Sequence, residues 1–152
     1  MESQFALIEK AQQNLAAMLD AYTIEQINQV PTCFKNNLIW NYAHIIASLQ
    51  ILCYGRSGIE LRLDETFVHA YKLGTKPEAL VTADEFNQFK VYAVKGIQQL
   101  REDYATNHFV NFKSFTTSAG FEIGSIEAAI NFVLHHHGMH IGYVMGMKRF
   151  IV

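Results

Sequence analysis

Four of the seven histidines of this chain fall between positions 135 and 140, in the run His135 His136 His137 Gly138 Met139 His140. At about 100° of turn per residue, His136 and His140 lie about 40° apart and one turn above the other on a helix, so their imidazoles can converge on one ion. Two ligands do not make a durable site for a first-row metal, and a third should come from a neighbouring helix. His44 is the best placed. It follows Trp40 by one turn and precedes Ser48 and Ile51 on the same face of an otherwise apolar helical segment. Cys53 stands nine residues further on, about 180° around that helix, and cannot share the site. His69 and His108 fall in connections, where a histidine is ordinarily a surface residue.

With His140 as reference, Ala129, Val133, Val144 and Met147 all fall within about 40° of it, so His140 faces inward. His136 lies about 40° to one side and His137 about 60° to the other, so both border the buried face, while His135 turns about 140° away toward solvent. Periodicity favours His136 over His137 only modestly. A lone inward histidine is more often a hydrogen-bonded core residue than a ligand. Three of them would each need a buried partner, and the sequence offers few inward polar groups; a shared cation would satisfy all three.

The elements that must position these residues read as helices. Apolar residues from Phe5 through Ile8 and Leu15 predict a first helix over about residues 3–21. Thr23 caps a short turn ended by Pro31. Asn36 or Asn37 caps a second helix through Trp40, His44, Ile51 and Tyr54, stopped by Gly55 and Gly58. Residues 59–81 form a long connection. Ile59, Leu61 and Leu63 alternate as in a brief extended piece, and a helical turn follows through Thr66 to Tyr71. Thr82 and Glu85 have capping-box spacing for a third helix through Phe86, Phe89, Ala93, Ile97, Leu100 and Tyr104. Residues 105–124 read as a packed irregular loop, and Ser125 caps a fourth helix running to about Lys148 and Arg149. The expectation is an all-α single domain over 1–152, a four-helix bundle with a long connection that permits a crossover.

Composition narrows the function. The chain is 152 residues long, half hydrophobic and 17% charged, which supports one substantial core and excludes wholesale disorder. Twelve basic against 14 acidic residues give a net charge of −2, without the cationic excess a nucleic-acid partner demands. No apolar run reaches bilayer-spanning length, so neither a membrane partner nor a secretory signal is expected, and the reading is a soluble, cytoplasmic protein with reduced Cys33 and Cys53.

With these residues placed, the sequence resembles the DinB-like, or YfiT-like, superfamily of four-helix metal-binding proteins. Trp40 Asn41 Tyr42 Ala43 His44 matches the tryptophan and histidine of the family's second helix, and His136 His137 Gly138 Met139 His140 Ile141 Gly142 Tyr143 matches the histidine pair of its fourth. The likeness spans nearly the whole chain and includes the turn Gly74 Thr75 Lys76 Pro77. It implies that His44, His136 and His140 are the metal ligands, with open coordination positions. Two positions depart from the family pattern: His137 stands where many members have glutamate, and Tyr143 where a glutamine is common. His137 is thereby a candidate for a catalytic base, with a surface residue as the equal alternative.

Three neutral imidazoles leave a divalent ion its full charge, an arrangement that acidifies a bound thiol or water. The resemblance, through bacillithiol transferases and mycothiol-dependent isomerases, implies a low-molecular-weight-thiol S-transferase acting on electrophilic small molecules. A metal-dependent hydrolase is the close alternative, and a non-catalytic metal-binding or stress-response module is another. Imidazole ligands suit zinc or nickel first, with iron or manganese also compatible. Trp40, Tyr42, Tyr143 and the phenylalanines of residues 109–121 are candidates to line a substrate pocket. A homodimer is the expected assembly.

Overall fold

The computed structural model describes all residues from Met1 to Val152. Four long helices carry the fold: α1 (Glu2–Leu19), α3 (Leu38–Leu49), α5 (Ala83–Ala105) and α6 (Ile126–Met147). Two short ones, α2 (Ile24–Asn28) and α4 (Glu65–Ala70), sit in the connections. Helix α1 packs on α6 and α5, and α3 packs on α6 and α5, which closes the bundle around one interior.

Local chemistry sets the helix starts. Thr23 with Gln26 and Thr82 with Glu85 form reciprocal capping boxes at α2 and α5. The Asn37, Asp64 and Ser125 side chains accept from the first-turn amides of Trp40, Phe67 and Ala128. The α3–α5 crossover is pinned at its far end by Asn28, whose amide donates to the Val81 carbonyl at 2.8 Å while its oxygen accepts from the Val81 N–H at 2.8 Å.

Every residue of α3 from Leu38 to Leu49 is buried. Apart from Asn41, His44 and Ser48 its residues are apolar or aromatic on every side, as suits a core helix. Here α2 and α4 cover the side of α3 that a plain four-helix bundle would leave to solvent. Consequently His44 and Asn41 are held in a fully packed element rather than on a surface stripe.

Three sequence expectations change. The second helix is not stopped at Gly55 but widens into a π-helical stretch, Gln50–Gly55, before ending at Gly58, whose φ of +65° suits glycine. Ile59, Leu61 and Leu63 pair with no strand; Leu63 is buried and the other two pack partly against the core. The stretch 105–124 contains a minimal antiparallel pairing, β1 (Phe115–Thr116) with β2 (Glu122–Ile123), turned through Gly120 at φ +84°. A two-residue ladder leaves no readable alternation in sequence.

Candidate metal centre

Helices α3 and α6 bring His44, His136 and His140 together, with one potential ligand atom from each lying within 4.8 Å of the others. Ring centroids are 5.2 Å apart for His44 and His136, 4.7 Å for His44 and His140, and 4.5 Å for His136 and His140. Tetrahedral ligation by imidazole at about 2.0–2.1 Å sets nitrogens about 3.4 Å apart, so small side-chain rotations suffice to close the set on an ion.

The surroundings fix two of the three rings in the tautomer a metal requires. His44 Nδ1–H donates to the Tyr71 carbonyl at 2.7 Å, leaving Nε2 as the lone pair; the Ser48 hydroxyl approaches that nitrogen at 3.3 Å. His140 Nδ1–H donates to Asn41 Oδ1 at 2.8 Å. The Asn41 amide is oriented in turn, because its nitrogen donates to the Asn37 carbonyl at 2.8 Å and to Asn36 Oδ1 at 3.2 Å, so its oxygen must face His140. Such outer partners are what orient and strengthen histidine ligands. Trp40, nearly buried, stacks on His44 at 4.6 Å and 11° and donates its indole N–H to Thr75 Oγ1 at 3.3 Å, which ties the Gly74–Pro77 turn to the site.

His136 differs. Its Nδ1 is buried without a hydrogen-bond partner. Burial, reinforced by the neighbouring imidazoles of His140 and His44, pushes its pKa down to about 2, and burial with the imidazoles of His44 and His137 holds His140 near 3. His44 is also lowered, mainly by burial and partly offset by its bond to Tyr71. All three rings are therefore neutral at pH 7, with lone pairs available. A donor set of three neutral imidazoles, two already oriented and one holding an orphaned nitrogen, fits a divalent cation.

The remaining sequence candidates separate. His137 is completely buried on the face of α6 that meets α1, where its Nδ1–H donates to the Val133 carbonyl at 2.8 Å and its Nε2 accepts from the Gln12 amide at 3.1 Å. It does not line the cavity and has no free nitrogen, so it cannot serve as the base considered for it. The inward stripe of α6 includes Ile126 and Ile130 as well as Ala129, Val133, Val144 and Met147, and these two isoleucines shift its centre toward His137. His135 and His69 are exposed, and the exposed His108 accepts from Arg62.

A cavity of about 670 Å³ opens from the three histidines. Trp40 and Tyr143 line it, as do Phe115, Phe121 and Phe132. Tyr42 does not: it is a core residue packed edge-on against Phe86, and Phe109 likewise packs on Tyr54 inside. Asn41 and Tyr71 were missed by sequence reasoning. Asn41 carried a signal, being three residues before His44 and hence on nearly the same helical face, whereas the Tyr71 contact is made by a backbone carbonyl and has none.

The DinB superfamily model matches residues 7–144, so the chain belongs to that superfamily. A search of curated proteins returned no match. No helix is long and apolar enough to cross a membrane.

Proposed function

We propose that this DinB-superfamily chain is a divalent-metal-dependent enzyme in which His44, His136 and His140 hold the ion and a low-molecular-weight thiol is the nucleophile that attacks an electrophilic small molecule. The observation that carries the reading is the three-histidine cluster itself, from two helices, lining a cavity with aromatic walls. When bound, the ion would supply Lewis-acid charge that lowers the pKa of a thiol or water. Three protein ligands leave a position open, the pattern of catalytic rather than structural sites. Zinc or nickel suits the donor set best, with iron or manganese compatible.

The chain's own residues support thiol chemistry over hydrolysis. The residues lining the cavity include no Asp or Glu, so no carboxylate stands ready to take a proton from water. A thiol, with an ordinary pKa near 8.5, needs less help: the S–H proton leaves to solvent through the open mouth, sulfur attacks carbon, the C–S bond forms and the leaving group departs with its electron pair. The aromatic wall of Phe115, Phe121, Phe132 and Tyr143 would exclude water and bind the apolar part of the electrophile.

The test is metal analysis of the purified chain followed by turnover of monobromobimane and 1-chloro-2,4-dinitrobenzene with a panel of small thiols, alongside ester substrates without thiol. Stoichiometric metal with thiol-dependent turnover is expected. Ester hydrolysis without thiol dependence would establish the hydrolase instead, and stoichiometric metal with no turnover of either kind would leave a metal-binding module. We further propose a cytoplasmic homodimer with no nucleic-acid or membrane partner.

A further inference from the structure

Among the residues lining the histidine cavity, Arg56 alone carries a formal charge. It makes no ion pair: the carboxylates of the molecule that pair with arginine or lysine engage Arg62, Lys90 and Arg101. Its guanidinium carbon instead lies over the Phe115 ring, 4.1 Å from the centroid, which holds the side chain at the cavity wall with its N–H groups free of protein partners.

The backbone explains how it comes to be there. In a continuous α-helix, residue 56 would stand about 120° around the axis from residue 44. The π-helical stretch Gln50–Gly55 winds more slowly through its i→i+5 bonding and turns Arg56 back toward the face that carries His44 and Ser48. Ser48, Ile51, Leu52 and Arg56 accordingly line one cavity together with His44. Arg56 stands up to about 18 Å along the axis from His44 at an α-helical rise, the last of the cavity-lining residues that run from His44 through Ser48, Ile51 and Leu52.

We infer that Arg56 is the specificity anchor of this cavity, selecting an elongated, largely apolar substrate whose single anionic group, of the carboxylate class, lies at the end remote from the reacting atom. One guanidinium balances one negative charge and meets a planar carboxylate edge-on. No acidic lining residue competes for it, and Arg56 is exposed, so an anion entering the cavity from solvent can reach it. The inference rests on the proposed function for which end of the substrate reacts, but not for the anion preference itself.

The experiment uses a matched pair of probes, 4-phenylbutanoate and its neutral amide, with binding read from the fluorescence of Trp40, the only tryptophan of the chain and a wall of the same cavity. Titrations are run on the metal-free and the zinc-loaded full chain, and on Arg56→Gln and Arg56→Lys. The carboxylate is expected to bind about tenfold tighter than the amide, a difference of about 1.4 kcal/mol, in both metal states. Arg56→Gln should erase the difference and Arg56→Lys should retain part of it. Because each variant is compared with itself on the two probes, a general loss of stability does not imitate the result. Equal affinities in the unaltered chain, no saturable carboxylate binding up to about 10 mM, or a preference that survives Arg56→Gln would overturn the assignment. A preference seen only with zinc and indifferent to Arg56→Gln would place the anion on the metal, sinking this inference while upholding the metal site. A preference abolished by Arg56→Gln in a chain that takes up no metal would do the reverse.

Discussion

His136 and His137 are neighbours in sequence, both withdrawn from solvent, and opposite in character. His137 has donated one nitrogen to Val133 and received a hydrogen bond on the other from Gln12 of α1, so its polar capacity is spent inside the protein. His136 faces two further imidazoles, and its Nδ1 has no partner at all. A buried imidazole with both nitrogens paired holds helices together; one left short among others of its kind is arranged for something the chain does not itself contain. Adjacency of about 100° on one helix is enough to separate the two roles.

The comparison breaks most decisively at the ligands. Replacing any one of His44, His136 or His140 with alanine should abolish stoichiometric metal, measured by elemental analysis of the purified chain, while His137→Ala, His135→Ala and His69→Ala should keep it. Retention of full metal by His140→Ala would end the case for the site.

The converse half is a stability measurement. His137→Ala removes a filled side chain and strands the buried Gln12 amide, and should cost about 2–4 kcal/mol in denaturant unfolding, with metal content per folded chain unchanged. A cost under about 0.5 kcal/mol, the range of ordinary surface changes, would show that the Gln12 bond contributes little.

Between these lies Asn41, whose amide is locked by Asn37 and whose oxygen holds His140. Asn41→Ala should weaken metal binding about 10–100-fold without abolishing it, the usual consequence of losing an outer hydrogen bond to a ligand, and metal-competition titration with a chromophoric chelator would read it.

Much of this centre was legible in the sequence because it is written in helical spacing. His136 with His140, and His44 one turn beyond Trp40, declare shared faces through the 3.6-residue period. The depth of His137 exceeds what the stripe of Ala129, Val133, Val144 and Met147 indicates, because Ile126 and Ile130 widen that stripe toward it. The slow winding of Gln50–Gly55, which decides where Arg56 points, has no counterpart in apolar periodicity, since residues 50–55 read equally well as α-helix. The hairpin carrying Phe115 was beyond reach for a different reason: its ladder is two residues long, and its position is set by packing rather than by pattern.

Acidification probes both kinds of histidine at once in the metal-free chain. Burial is the leading cause that lowers His44, His136, His137 and His140, the last three to about 2, 4 and 3. The unfolded chain, with histidines near 6.5, therefore binds more protons than the folded one below that value. Stability should be full above about pH 6.5 and fall as the pH drops toward 4 and below. Unfolding midpoints that stay level from pH 7 to 4 would contradict the burial assigned to these rings.

The finest distinction concerns His136 alone. If its unpaired nitrogen is a cost tolerated for the sake of a ligand, then replacing the ring with an apolar side chain of similar reach should relieve that cost whenever no metal is present. His136→Leu should raise the stability of the metal-free chain by about 1 kcal/mol, the low end of the penalty for a buried unsatisfied group, because the leucine can pack against Phe132, whose ring lies 6.1 Å from that of His136. His137→Leu should do the opposite, since it leaves the Gln12 amide without its acceptor. Added metal should then stabilise the unaltered chain but not His136→Leu, reversing their order. If both leucine variants are destabilised alike without metal, the two rings serve one structural purpose and the contrast between them fails.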